Sequence, residues 1–358
     1  MLKYPVRSKL RHTLDSRWLS LALAILTFLC MVRAKAVFDT NQVESTARVA
    51  TDKCVFRTVK YYPSTLESYW IKRIKIIQSD EPSWTTGCDE VRRNVESIEK
   101  MLQDIDELIS YTAQSLKRQS NTLSSYEIED SCSGERHYTY IEPLISFLRH
   151  PKAVCFQQND HLLDKSYLVV PHQNEIAKTG SAYTWLFDVG ASTYREGAGG
   201  ASQSWFVDTY RNRGIEFDRI YAWEAAKTDP EAQWAGTPLD VKMKTSWYNI
   251  PINVTMGHAD NPLTFIKRLA KEEDYVVLKV DIDTPTVEIQ LVKQLMVDEK
   301  LLRLVDEFYF EHHVSGSPMQ WYGWGNLSAA VGSLTDLHSS YSIFAFLRGR
   351  GIRAHSWV

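Results

Sequence analysis

From Tyr183 to the end of the chain, short apolar runs alternate with helical stripes. Strands are predicted at Trp185–Val189, Arg219–Trp223, Pro251–Thr255, Tyr275–Val280, Glu307–Phe310 and Ile352–Val358. Helices are predicted near Ala201–Arg213, Pro262–Lys271, Pro285–Met296 and Tyr341–Arg348, the second opened by Asp260 or Asn261. Strand and helix in turn, with β-branched residues concentrated in the strands, predict an α/β domain over 181–358: a doubly wound, Rossmann-like sheet. In such sheets ligands bind beyond the carboxyl ends of the strands.

Residues 37–180 follow another pattern and read as mostly helical. Between Asp89 and Gln119, Val91, Val95, Ile98, Met101, Leu102, Ile105, Leu108, Ile109 and Leu116 recur in steps of three and four. That stripe predicts one amphipathic helix, packed on its own domain or seated in a homodimer seam. The polar, Ser-rich stretch 119–135 reads as a loop. Tyr140–Leu148 reads as a helix with Pro143 in its first turn.

The first 36 residues read as an address. Trp18–Val32 is a 15-residue run without charge, bounded by Arg17 and Arg33. Seven Lys/Arg and a single acid, Asp15, stand in this segment, so the remaining chain is acidic. An acidic body lacks the basic surface that neutralises phosphates, which argues against nucleic-acid binding. The run is either the core of a signal peptide cleaved after Ala36 or a type II membrane anchor with a cytoplasmic basic tail. Both readings place 37–358 in the secretory lumen, as a Golgi membrane protein or a secreted one. Cys54, Cys88, Cys132 and Cys155 are an even set, consistent with two disulfides of open connectivity and not with zinc-finger spacing. Asn253-Val-Thr255 and Asn326-Leu-Ser328 are glycosylation acceptors by pattern.

The strand ends carry the chemistry. Phe187-Asp-Val-Gly190-Ala-Ser-Thr leads into Tyr194-Arg-Glu-Gly197-Ala-Gly199-Gly200 and a helix, the general form of a loop that admits a nucleotide-type cofactor. Glu224 closes the second strand, where a carboxylate can accept both hydroxyl protons of a ribose. Asp281 and Asp283 follow the fourth strand; Glu311, His312 and His313 follow the fifth. Neighbouring strands would gather these groups in one crevice and supply a general base. Because His312 and His313 alternate, at most one of them faces the chemistry.

Residues 183–358 resemble FkbM-type methyltransferases of the class I S-adenosylmethionine fold. The resemblance rests on Asp188-Val-Gly190-Ala191-Ser192 after the first strand, Glu224 after the second, Lys279-Val-Asp281-Ile-Asp283-Thr284 after the fourth, and Glu311-His312 after the fifth. The strings Trp247–Asn249, Asp-Ile-Asp-Thr-Pro, Phe-Glu-His-His and Ala-His-Ser-Trp look closer still to an algal and protist branch. Ser192 and Tyr194 depart from the family's Asn and second Gly, and Asp283 and Thr284 from its Glu and Gly. The resemblance implies transfer of a methyl group from S-adenosylmethionine to a hydroxyl, expected here on a glycan or glycoconjugate. It implies that Asp188, Gly190, Ser192 and Glu224 hold the cofactor, with Asp260 near the adenine. Asp281, Asp283, Glu311 and His312 form the catalytic set, Asp281 or His312 taking the hydroxyl proton.

Two other readings stay open. Asp281-Ile-Asp283 has the D-x-D form with which a Golgi glycosyltransferase holds Mn²⁺ or Mg²⁺ against a nucleotide sugar. The departures in the glycine loop also suit a non-catalytic protein on the same fold, with Trp321-Tyr-Gly-Trp324-Gly stacking on sugar faces.

Overall fold

The computed structural model describes residues 56–77, 83–110, 121–156, 158–176, 182–195, 202–315, 317, 319, 324 and 334–357. The basic tail and apolar run of 1–36, Cys54, the glycine stretch 196–200, Trp321–Gly323 and the Asn326 acceptor lie outside the described residues. Among the described residues, no helix is long and apolar enough to cross a membrane.

Lys53–Val358 forms one compact unit. Its strands in chain order are β1 (Phe56–Tyr62), β2 (Ser124–Asp130), β3 (Arg136–Ile141), β4 (Thr184–Val189), β5 (Arg219–Trp223), β6 (Thr245–Tyr248), β7 (Tyr275–Val280), β8 (Glu307–Phe310) and β9 (Arg353–Ser356). The last six make one sheet in the order β6-β5-β4-β7-β8-β9, with every pair parallel. Counted from the first strand of that sheet, the order is 3-2-1-4-5-6, the doubly wound arrangement of Rossmann-like folds. Central β7 is buried at every position, as a strand covered on both faces must be. The β4–β5 face adds a ladder of rings in which Phe187 stacks on Tyr221 and Trp223 on Tyr248.

Most of the helices match their sequence pattern. Pro262–Leu269 starts at Asn261, whose side chain accepts the Leu263 and Thr264 backbone N–H groups, with Pro262 in the first turn. Asp260 does not cap it. Pro285–Val297 follows β7, and Leu337–Gly349 precedes β9. The third strand falls earlier than expected, at Thr245–Tyr248. Pro251 has no N–H to give a ladder, and Asn253 instead folds back, its side chain accepting from Thr255 N.

The N-terminal part is less helical than its composition implies. β1, β2 and β3 form an antiparallel sheet inside the stretch read as helix and loop. β2 is SSYEIED, polar by count, but Tyr126 and Ile128 alternate toward a small core with Ile141. Tyr140–Leu148 is not a helix: it begins in β3, and Ser146 and Leu148 take φ of 54° and 57°, which no right-handed helix accommodates. The stripe from Asp89 is split at Asn94 into Ser83–Arg93 and Val95–Ser110. Cys88 and Cys155 are bonded to each other, and Cys132 is disulfide-bonded as well.

These elements close over the β8–β9 side of the large sheet. Arg348, fully buried, donates to Glu67, to Glu142 and to the Ala354 carbonyl. Arg353 binds Glu307 and the carbonyls of Tyr140 and Val169. His355 places Nδ1 at 2.8 Å from Glu142 and Nε2 at 3.2 Å from Glu307. One continuous apolar core runs from Leu66 to Trp357 and takes in both parts.

Candidate functional site

The strand order reverses between β4 and β7, and the segments just past these strands are where ligands of such sheets bind. Asp188, near the end of β4, is fully buried, and neither of its oxygens has a hydrogen bond. Its nearest cation is Lys279 of β7, with Nζ 3.5 Å from Oδ1. Burial pushes the Asp188 carboxyl up, and Lys279 pulls against it. Lys279 is itself buried; its ammonium donates to the Gly190 carbonyl at 2.5 Å and stands 3.2 Å from Asp281 Oδ2. The lysine therefore ties the ends of the two central strands together.

Gly190 has φ of +91°, and a Cβ there would fall 1.6 Å from the Asp281 carbonyl oxygen. The glycine thus permits close approach of β4 to the chain leaving β7, rather than leaving a gap. Ser192 follows with φ of 50°. Its backbone N–H donates to Glu224 Oε2 at 3.1 Å, and Ala226 N donates to Oε1 at 2.7 Å. Loop and acid, read separately in the sequence, are one hydrogen-bonded unit. Each Glu224 oxygen keeps a further acceptor position. Asp260 is not part of that unit: its polar contacts are local, to His258 and to Asn253 N.

Across the crevice, the segments after β7 and β8 gather an acid–imidazole cluster. Glu311 Oε1 accepts from Arg149 Nη2 and from the Trp324 indole, each at 2.9 Å. Glu311 Oε2 lies 3.1 Å from His313 Nε2, and Asp283 Oδ1 stands 3.6 Å from the same nitrogen. On the other edge of that ring, His313 Nδ1 faces Glu288 Oε2 at 3.7 Å. Burial opposes ionisation at Glu311, yet His313, Arg149 and the indole hold its carboxyl well below the usual range. Burial, and then the Glu311 charge working against Lys279, pushes Asp281 up to about 6. Of the two carboxyls, Glu311 is the stronger acid and Asp281 the stronger base. Burial lifts Glu288 to about 8 against the pull of His313. Burial works against the charged form of His313, but Glu311, Glu288 and Asp283 raise its affinity for the proton. Lys165, which sits over the Trp357 ring, is brought down to about 8 by burial and by Arg149.

The structure brings Asp281, Asp283 and Glu311 together as expected, but not His312. That ring turns away, with Nδ1 on Ser340 Oγ, Nε2 on the Leu334 carbonyl and its face on Phe310. Burial drops its pKa to about 4, so it is a neutral packing residue. His313 holds the place expected for His312. Nor do Asp281 and Asp283 form a matched D-x-D pair. Asp281 Oδ2 accepts from the Trp357 indole and faces Lys279, whereas Asp283 turns toward His313.

Glu288, Arg149 and Lys165 have no part in the sequence motifs, and Lys279 enters them only as the first residue of the Lys279–Thr284 string. Glu288 stands three residues past Pro285, in the first turn of the helix that follows β7. Arg149 and Lys165 come from the N-terminal part and carry no local signal. No family model, curated protein or solved structure matches the chain.

Proposed function

We propose that this protein is an S-adenosylmethionine-dependent O-methyltransferase whose acceptor is a hydroxyl of a glycan or glycoconjugate in the secretory lumen. The observation that carries the reading is the union of the Gly190–Ser192 turn with Glu224 beside the point where the strand order reverses, on a sheet whose β7 and β8 lead into a carboxylate–imidazole cluster. The turn and acid fit a nucleoside. Glu224 is held by two backbone N–H groups and retains acceptor positions for a ribose diol. Bound there, the cofactor supplies an electrophilic methyl group.

The chain's own residues supply the rest. Asp188, Lys279 and Gly190 lock the two central strands, so that the turn is rigid before any ligand arrives. Asp281 is the proton acceptor. Its side chain remains 20% exposed, while Asp188 beside it is fully enclosed. Trp357 and Lys279 orient the Asp281 carboxylate toward a hydroxyl in the crevice. The expected membrane anchor and the Golgi setting belong to this proposal, since 1–55 lie outside the described residues.

Calorimetric titration of the lumenal chain, from Val37, with S-adenosylmethionine tests the reading. Binding is expected, with affinity lowered at least about tenfold in Glu224→Gln, since a carboxylate-to-diol hydrogen bond contributes roughly 1.5–3 kcal/mol. A folded chain that binds none, or a Glu224→Gln variant that binds equally well, overturns the assignment.

A further inference from the structure

Asp283, Glu311 and His313 offer one donor atom each, and the three atoms lie within 4.8 Å of one another. His313 Nε2 is 3.1 Å from Glu311 Oε2 and 3.6 Å from Asp283 Oδ1. Donors about 2.1 Å from a common ion, spread over tetrahedral or octahedral angles, stand about 3.0–3.4 Å apart. The His313–Glu311 pair already stands at a coordination edge, and the exposed Asp283 carboxylate needs only a small rotation to join it. The side chain of Asp283 is 59% exposed and gives the cluster a mouth, while Glu311 and His313 form its closed floor.

A second observation is independent of that spacing. His313 Nδ1 and Glu288 Oε2 are both buried without a hydrogen bond, and they face each other at 3.7 Å. A ring that binds a metal through Nε2 carries its proton on Nδ1, and ligating histidines regularly give that proton to a carboxylate. Glu288, anchored at its other oxygen by Ile282 N, is placed to take it.

We infer that Asp283, Glu311 and His313 bind a divalent first-row cation, Mn²⁺ or Zn²⁺, with Glu288 as the positioning residue for His313. Two carboxylates and one imidazole are a donor set for such ions, and three protein donors leave positions for water or a substrate oxygen. In the proposed methyl transfer, and resting on that reading, the ion would sit beside Asp281 and polarise the acceptor hydroxyl. Cation binding itself needs no methyl donor, so it stands or falls separately.

His150, His161 and Asp164 also converge, but they make a poorer site. His150 Nδ1 accepts the Lys152 backbone N–H at 3.2 Å, so the neutral ring carries its proton on Nε2 and cannot use that atom as a ligand.

The test is calorimetric titration of the metal-stripped lumenal chain with MnCl₂ and with ZnCl₂, with folding monitored by circular dichroism. One equivalent is expected to bind, and binding is expected to be lost in Asp283→Asn and in His313→Gln. Asp283 is exposed and has φ of 52°, a conformation Asn tolerates, so Asp283→Asn keeps the test valid if the buried His313 variant fails to fold. Glu288→Gln should weaken binding roughly 10–100-fold. His161→Ala should leave it unchanged. A folded chain that binds neither ion, an Asp283→Asn variant that binds as the parent does, or loss of binding in His161→Ala would overturn the assignment. Unweakened binding in Glu288→Gln would remove Glu288 from it.

Discussion

A single register position separates His312 from His313, and it decides which ring meets the carboxylates. Both follow Glu311 at the end of β8, and strand alternation sends them to opposite sides. His312 goes to Ser340 and Leu334, His313 to Glu311 and Glu288. The same scale explains Lys279. A lysine inside an apolar strand looked like a family string; in the fold it is the counter-cation for two carboxylates at the strand ends. Replacing it by Met strands Asp188 in the core and is expected to cost about 3–5 kcal/mol. The double variant Asp188→Leu/Lys279→Met removes both charges and should recover much of that loss. Urea unfolding of the two variants decides: equal stability would mean that Asp188 and Lys279 are not energetically paired.

Elements differ in how much of their position is local. Pro262–Leu269 is written in its own residues by Asn261 and Pro262. β2 is not: its Ser, Glu and Asp residues suit a loop, and only the partner strands β1 and β3 turn the Tyr126–Ile128 alternation into a strand. Polar residues tolerate this because the fold gives them partners. Ser124 donates to Glu67, and Glu127 accepts from Tyr62 and Arg136. Gly190 shows the opposite dependence, in which a backbone feature of one element is set by another. Gly190→Ala would drive a methyl into the Asp281 carbonyl and force β4 and β7 apart. Gly134 also has positive φ, +70°, but nothing lies within 4 Å of its Cβ position. Gly134→Ala should cost only the conformational strain, about 1–2 kcal/mol, whereas Gly190→Ala should cost several times more or fail to fold. Melting temperatures of the two variants measure this, and similar values would mean that the β4–β7 contact is soft.

On the scale of the whole molecule, the buried ion network joins the N-terminal elements to the last strands. Arg348 and Arg353 reach across to Glu67, Glu142 and Glu307, and His355 lies between two of those acids. With a carboxylate at each nitrogen, His355 is best satisfied as the cation, which raises its pKa above 6.5 although burial works the other way. The sign follows from linkage. A proton held more tightly in the folded state adds stability that is complete below the unfolded value near 6.5 and is lost as pH rises through the folded value. The stability gap between the parent and His355→Gln should therefore be widest near pH 6 and narrow in alkali. Urea midpoints of both proteins at about pH 6 and pH 9 report it, since the protonated reference lies below 6.5. A constant gap would mean that His355 is neutral in the network.

The α/β class, most strands and helices of the large sheet, and the gathering of Asp281, Asp283 and Glu311 at the strand ends were legible in the chain. They depend on short-range periodicity, on proline and Asx caps, and on the rule that loops after parallel strands meet at one edge. Tertiary structure alone decided the rest. Which histidine faces the acids depends on the register of β8 against β7 and β9. That Glu224 holds the glycine turn depends on the pairing of β4 with β5. That Arg149 and Lys165 reach Glu311 and Trp357 depends on an N-terminal part packing over the far side of the sheet. Such contacts join residues far apart in the chain, 32 positions for Ser192 and Glu224 and 162 for Arg149 and Glu311. No local pattern encodes them, because the free energy that selects them is the burial and charge pairing of the assembled core.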